Sequence, residues 1–312
     1  MTAAKVRDTV HGAIIIDKPE GPTSFAAMRQ AARCVGVRKS GHTGTLDPAA
    51  SGVIVVLLGE ATKLANVLVH DDKVYEARIL LGVATDTLDR EGQVVAEAPV
   101  DVALLTTDRV AAALADHVGE VMQVPPIYSA LKRDGRTLMS RARAGEEVHV
   151  EARPALCHSL TLVAIETEPQ PVLVVRVHCG KGYYVRSLAR DLGAALDLPA
   201  HLVGLRRTRV GEFDLARAVG PDAATLADVI PIAELLGSWR HISVDSVGCE
   251  ALSYGRPLKM SAVNTTREPL QPDDDRALAL DLAGNPLALM RADFDSWKIE
   301  RGFVIDIQGC DE

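Results

Sequence analysis

The stretch GHTGTLDPAASG, from Gly41 to Gly52, packs one histidine, one aspartate, three glycines, a proline and three hydroxyl residues into twelve positions. That composition suits a shaped loop rather than a regular element. The apolar run that follows, Val53 to Leu58, is continuous and rich in β-branched residues, and reads as a strand buried on both faces. A loop anchored to a rigid sheet is a favourable place for chemistry. Within it, Pro48 biases Asp47 towards an extended backbone. Asp47 is then either a plain turn aspartate or a carboxylate held firmly enough to act as a nucleophile, provided that an arginine keeps it ionised.

Other chemistries fare worse. Gly36 to Thr43 (GVRKSGHT) differs by one residue from the phosphate-binding pattern G-x-x-x-x-G-K-[ST], with His42 in place of the lysine. That lysine reaches the β and γ phosphates, and the pattern follows a strand and opens a helix. Here a helix is expected before it and more loop after it, so nucleotide binding is rejected. Acyl transfer finds no G-x-S-x-G elbow, and Cys34 has no base beside it in a recognisable signature. The nine histidines show no H-x-x-x-H spacing, and the five cysteines are scattered without C-x-x-C, so neither a metal site nor a disulfide framework is expected.

The net charge of −8 argues against a generic nucleic-acid binder, but its distribution is uneven. Residues 241–312 hold 7 Lys and Arg against 13 Asp and Glu, leaving 27 against 29 in the rest. Basic clusters therefore survive in the longer part. Lys132, Arg133, Arg136, Arg141 and Arg143 accompany the single acid Asp134, an arrangement suited to gripping phosphates, and Arg206, Arg207 and Arg209 form a second group. No apolar run approaches the roughly 18 to 20 residues needed to span a bilayer, and the first ten residues lack the core of a signal peptide. A cytoplasmic protein is expected.

These groups need positioning. Gly12 to Ile16 predicts a strand, and the turn DKPEGPTS leads to a helix from Phe25 to Val35 capped by Thr23 or Ser24. GEATKL is expected to open an amphipathic helix reaching about Val69, and Lys73 to Leu81 alternates as a half-buried strand carrying Tyr75. TDTLDREG reads as a polar turn, Thr107 to Val118 as a helix, and Ser159 to Glu166 with Val172 to Cys179 as a hairpin. A glycine turn then starts a helix near Tyr184, which places Arg186 and Arg190 on one face, and HLVGLRRTRVGEF returns as a strand. Beyond Pro231 short strands suggest a small β domain, with the boundary near Trp239.

The segment Gly41 to Gly52 closely resembles the catalytic signature of the tRNA pseudouridine-55 synthase family, the TruB type. The likeness continues in the same order through Ile16 to Pro19, Gly21 to Ser24, Lys73 to Ala77, Gln123 to Lys132, Gly180 to Arg186 and Leu205 to Arg207, spanning about Gly12 to Phe213. It implies an α+β catalytic domain, residues 1–239, on a mixed and mostly antiparallel sheet flanked by helices, with an RNA-gripping insertion at about 123–154. Residues 240–312 would form a small C-terminal β domain, a divergent PUA module. The resemblance implies cofactor-free isomerisation of a T-loop uridine. Asp47 would be the catalytic carboxylate, Arg186 its partner, and Tyr75 a residue that stacks on the uracil and could act as a base. His42 would contact the extruded nucleotide, Tyr184 and Leu205 would line the pocket, and Lys18 would support the loop. Lys132, Arg133, Arg136, Arg141, Arg143, Arg206 and Arg207 would meet RNA. The partner implied is the T stem-loop of tRNA, bound by a monomer without metal or membrane. The competing readings are a tRNA-folding chaperone whose catalysis is secondary, and a synthase acting on a different or guide-selected RNA.

Overall fold

The computed structural model describes residues 10–128, 132–133, 136–137, 141, 146, 150–269 and 275–304, with only the backbone at 132–133 and 136–137. Its strands are β1 (Gly12–Lys18), β2 (Ser40–His42), β3 (Ser51–Leu58), β4 (Lys73–Leu81), β5 (Val83–Thr85), β6 (Val94–Glu97) and β7 (Gly119–Gln123). There follow β8 (Lys132–Arg133), β9 (Arg136–Thr137), β10 (Arg153–Glu166), β11 (Val172–Cys179), β12 (Ala200–Val210), β13 (Phe213–Asp214) and β14 (Ile230–Pro231). The path β14-β1-β3-β12-β4-β11-β10-β7, with β2 beside β3 and β13 beside β12, makes one ten-stranded sheet. Only the β12–β3 pairing in it is parallel. An α+β protein on a mixed, mostly antiparallel sheet is what the sequence led us to expect.

Strand β3 is buried along its length because both faces of the sheet are covered there. Val53, Val55 and Leu57 enter one core with Ala13 and Ile15 of β1, while Ile54, Val56 and Leu58 enter another with Ile14 and Ile16. The second core is closed by helix Ser24–Cys34 through Ala27, Met28, Ala31 and Ala32, and Thr23 caps that helix by accepting from the Ala26 amide. Each fully buried aliphatic side chain here contributes about 1.5–3 kcal/mol, so the alternation fixes the register. Farther along, β4 and β11 pack Ala77, Ile79, Val175 and Val177 against helices Thr107–Ala115 and Val185–Ala195. No described helix is long and apolar enough to cross a membrane.

Two local expectations change. The signature is not wholly loop: Ser40–His42 pairs with Val56–Leu58, because its backbone groups lie beside an open edge of β3. The amphipathic helix expected from Gly59 to Val69 is a 3-10 turn over Gly59–Leu64 followed by one helical turn, Ala65–Leu68. The tighter winding eclipses side chains three apart, which sets Glu60 against Lys63 at 2.5 Å.

A second sheet follows, built from β15 (Arg240–Val244), β16 (Leu258–Lys259), β17 (Asn264–Arg267), β18 (Arg276–Asp281), β19 (Pro286–Asp293) and β20 (Ser296–Gly302) in the order β16-β20-β19-β18-β15-β17. Helix Ser246–Ser253 lies among these strands; Val247 and Gly248 near its start give it a weak helical propensity. Leu278 and Leu289 pack into the same core as β1 and β3, joining the two sheets. A polar clasp reinforces the join: Glu60 pairs with Lys39 at 2.8 Å and with Lys63, and accepts the Val304 amide at 2.9 Å, while Lys63 donates to the Gly302 carbonyl. Burial alone would raise the Glu60 carboxyl, but the two lysines and the amide together bring it down to about 2.

A carboxyl depressed in the folded state stabilises above its unfolded value and loses that contribution as pH falls towards 2. Glu60→Gln is therefore expected to lower Tm at pH 7, with the gap from the unaltered protein closing between about pH 4.5 and about pH 2, as scanning calorimetry would read. A gap independent of pH would remove the charge of Glu60 from the clasp.

Candidate active site

The loop after β2 is held at nearly every residue before it reaches Asp47. Ser24, the first residue of its helix, accepts the Leu46 amide and donates to the Leu46 carbonyl, both at 2.8 Å. Lys18, fully buried at the end of β1, donates to the carbonyls of Pro19, Pro22 and Pro48 at 2.8, 2.9 and 3.2 Å. Gly21 donates its amide to Pro48. On the other side, the guanidinium of Arg207 donates to the Gly44 and Val53 carbonyls. Gly52 is required where β3 meets β12: its φ is +109°, and a Cβ there would lie 2.1 Å from the Arg207 carbonyl.

Asp47 emerges facing Arg186, 3.1 Å from its guanidinium. Arg186 comes from the first turn of helix Val185–Ala195 and is buried, with further bonds to the Thr87 carbonyl at 3.2 Å, the Tyr128 carbonyl at 3.0 Å and the Asp89 carboxylate at 3.2 Å. Asp89 is the carboxylate that sequence reasoning missed. It lies in TDTLDREG, where a run of polar residues looks like nothing more than a turn. The Asp47 side chain is 44% exposed and that of Asp89 only 13%, so the pair is unequal: one carboxylate holds the arginine and the other opens to the cleft. The surrounding protein pushes the Asp47 carboxyl above its ordinary value; Arg186 and Lys18 oppose that burial while Asp89 adds to it. Arg186 holds the carboxyl lower than burial alone would leave it, but does not bring it below its ordinary value.

A cleft of about 280 Å³ opens beside this pair, lined by Asp47, Tyr75, Tyr184, Leu205 and the Gly180–Tyr183 turn. Tyr75 stands on β4 directly across from Arg207 on β12. Burial raises its hydroxyl above the usual phenol value, with Arg207 opposing, so it stays protonated in the free protein. Tyr184 is fixed by a paired contact with the buried Gln123, whose amide group accepts from the Tyr184 N–H at 2.9 Å and donates to its carbonyl at 3.2 Å. Gln123 is a second residue without an obvious role in the sequence. His42 sits at the end of β2, its Nδ1 buried without a hydrogen-bond partner and its pKa lowered by burial and by Arg207.

The basic residues divide. Arg207 is expected to meet RNA, but it is 1% exposed and donates to the backbone carbonyls of Gly44 in the loop and Val53 in β3, so it is a structural tie. Arg206 is partly exposed and paired bidentately with Asp17 at 2.7 and 3.1 Å. In the insertion, β8 and β9 form a two-stranded hairpin and Arg141 pairs with Glu146 at 2.8 Å. The side chains of Lys132, Arg133 and Arg136, and all of Arg143, lie outside the described residues.

With that geometry in view, comparisons with known proteins agree. Residues 32–185 match the N-terminal domain of the TruB family pseudouridylate synthases, and residues 186–233 match the tRNA pseudouridylate synthase B C-terminal domain. The chain belongs to the TruB family of pseudouridylate synthases. It is 46% identical over 259 residues to a tRNA pseudouridine synthase B of Aromatoleum aromaticum, covering 81% of this chain and 82% of that one. With the protein of the same name from Cupriavidus metallidurans it shares 47% over 282 residues, covering 88% and 87%. The solved Cbf5-Nop10-Gar1 complex contains a chain of the same fold, with a TM-score of 0.70 at 22% identity over 97% of this chain and 88% of that one. This synthase is thus an RNA-modifying isomerase.

The balance around Asp47 can be read directly by 13C NMR titration of its carboxyl group. The midpoint is expected above the ordinary carboxylate value, higher still in Arg186→Gln and lower in Asp89→Asn, because the first removes an opposing cation and the second an adjacent anion. Shifts of the opposite sign would show that the two neighbours do not set its charge.

Proposed function

We propose that this chain converts the T-loop uridine at position 55 of tRNA to pseudouridine, without a cofactor, with Asp47 as the catalytic carboxylate. The observation that carries the reading is a half-exposed carboxylate on a loop fixed by Lys18, Ser24 and Arg207, 3.1 Å from a buried guanidinium and beside a cleft floored by Tyr75. In the reaction the bond from C1′ to N1 breaks, the uracil turns within the cleft, C1′ joins C5, the C5 proton leaves and N1 takes up a proton, so the product is an isomer of the substrate. Asp47 either attacks C1′ or C6, or accepts the C2′ proton on a glycal route. Arg186 orients it and stabilises its charge through the step.

A uridine reaches such a cleft only after leaving its stack. Tyr75 and Leu205 offer faces to the uracil, Tyr184 closes one wall, and His42 contacts the extruded nucleotide. The raised pKa of Tyr75 fits a stacking phenol; to take the C5 proton it must first be deprotonated. The insertion at about 123–154, with Lys132, Arg133, Arg136, Arg141 and Arg143, grips the stem by shape and phosphates, with Arg206 nearby. Residues 240–312 act as a small PUA-like β domain beside the catalytic domain of residues 1–239. The protein works as a cytoplasmic monomer on the T stem-loop.

Asp47→Asn assayed on a T-arm transcript is expected to lose at least roughly 10³-fold in pseudouridine formation while tRNA binding persists. Retained turnover would overturn the role of Asp47. Refolding activity that survives in the same variant would favour the chaperone reading, and a product at another site would favour a different RNA. Combined replacement of Lys132, Arg133 and Arg136 by Ala is expected to weaken tRNA binding and flatten its salt dependence by up to about 0.7–0.9 for each phosphate no longer neutralised. An unchanged slope would take the insertion out of the RNA interface.

A further inference from the structure

Three strands meet on the face of the main sheet away from the helices Thr107–Ala115 and Val185–Ala195. Asp72 directly precedes β4, His178 is the penultimate residue of β11, and His158 is the extra residue of a β-bulge that separates the pairs Cys157–Cys179 and Ser159–His178. A bulge re-aims a side chain. Here it brings the His158 ring beside that of His178, with centroids 4.6 Å apart. Both imidazoles turn Nε2 towards the same oxygen, Asp72 Oδ2, at 3.0 Å from His158 and 3.9 Å from His178.

A simple hydrogen-bonded cluster does not account for this. His158 takes the carboxylate oxygen, and the His178 Nε2, itself buried, has no hydrogen-bond partner. A buried ring nitrogen left without a partner is costly. We propose that Asp72, His158 and His178 bind a single divalent transition-metal ion of the zinc type. The three donor atoms lie within 4.8 Å of one another. Tetrahedral coordination at about 2.0–2.1 Å sets donors roughly 3.3–3.5 Å apart, so the two histidine-to-carboxylate spacings, 3.0 and 3.9 Å, bracket that value, and a turn of the rings brings the set together. Two imidazoles with one carboxylate suit zinc, cobalt or nickel, whereas calcium and magnesium prefer all-oxygen sets.

The surroundings accommodate the charge. The cavity bordering the site is lined by the carboxylates of Asp71, Asp72 and Glu212 against the guanidiniums of Arg209 and Arg276. Arg209 faces His178, and Lys181 is engaged with His70 at 3.2 Å. The cavity leaves the fourth coordination position to water. None of the three ligands lines the catalytic cleft, so the ion acts away from the uridine. It ties the start of β4, which carries Tyr75, to the end of β11, from which Gly180–Tyr184 runs into the cleft. The linear spacing of these residues hides the site, because its ligands come from two strands and the turn before a third.

The full chain, stripped with a chelator, is to be titrated with Zn²⁺ against a chromophoric competitor and with Co²⁺ by absorption. One equivalent is expected to bind, with the visible bands of four-coordinate Co²⁺ and a rise in Tm on Zn²⁺ addition. His158→Ala and His178→Ala are each expected to weaken binding by at least about 10-fold and to abolish the Tm rise. Asp72→Asn is expected to act the same way, which guards against a folding defect in either histidine variant. Absence of saturable binding, or binding of equal affinity in all three variants, overturns the site.

Discussion

One guanidinium holds the centre of this molecule. Arg186 reaches its partners from a buried position, so each bond it makes is made out of water, and each one left unmade would be costly. Its four contacts come from separate parts of the chain: Thr87 and Asp89 after β4, Tyr128 near the start of the insertion, and Asp47 on the signature loop. Two carboxylates share one cation, but unequally. Asp89 is largely enclosed and serves as anchor, while Asp47 keeps an open side.

The loop bearing Asp47 has little freedom because the charges around it are turned inward. Lys18 and Arg207, each essentially inaccessible, place their donors on backbone carbonyls rather than on phosphate. Preorganisation of this kind removes the reorganisation that a mobile loop would need during the reaction. It also explains why two neighbouring arginines of β12 do different work. Successive strand residues face opposite sides, so Arg206 turns towards solvent and Asp17 while Arg207 enters the core.

The second sheet is bound to the first by both apolar packing and charge. Leu278 and Leu289 share a core with β1 and β3, and the Glu60 clasp fastens the end of β20 to the turn after β3. The strand that anchors the signature loop thus also carries the contact with the C-terminal sheet.

Much of this was legible in the residues themselves. The continuous apolar run Val53–Leu58 specified a doubly covered strand, the glycines and Pro48 specified a loop, and the ordered landmarks specified the family and the Asp47–Arg186 pairing. What the sequence could not determine was every feature that depends on which strands lie side by side. Asp89 and Gln123 acquire roles only because Arg186 and Tyr184 arrive beside them, Arg207 leaves the surface only because β12 pairs with β3 and β4, and His158 meets His178 only through a bulge. Periodicity and local chemistry are written residue by residue, whereas burial and partnership are decided by segments far apart in the chain, and those meet only once the sheet has formed.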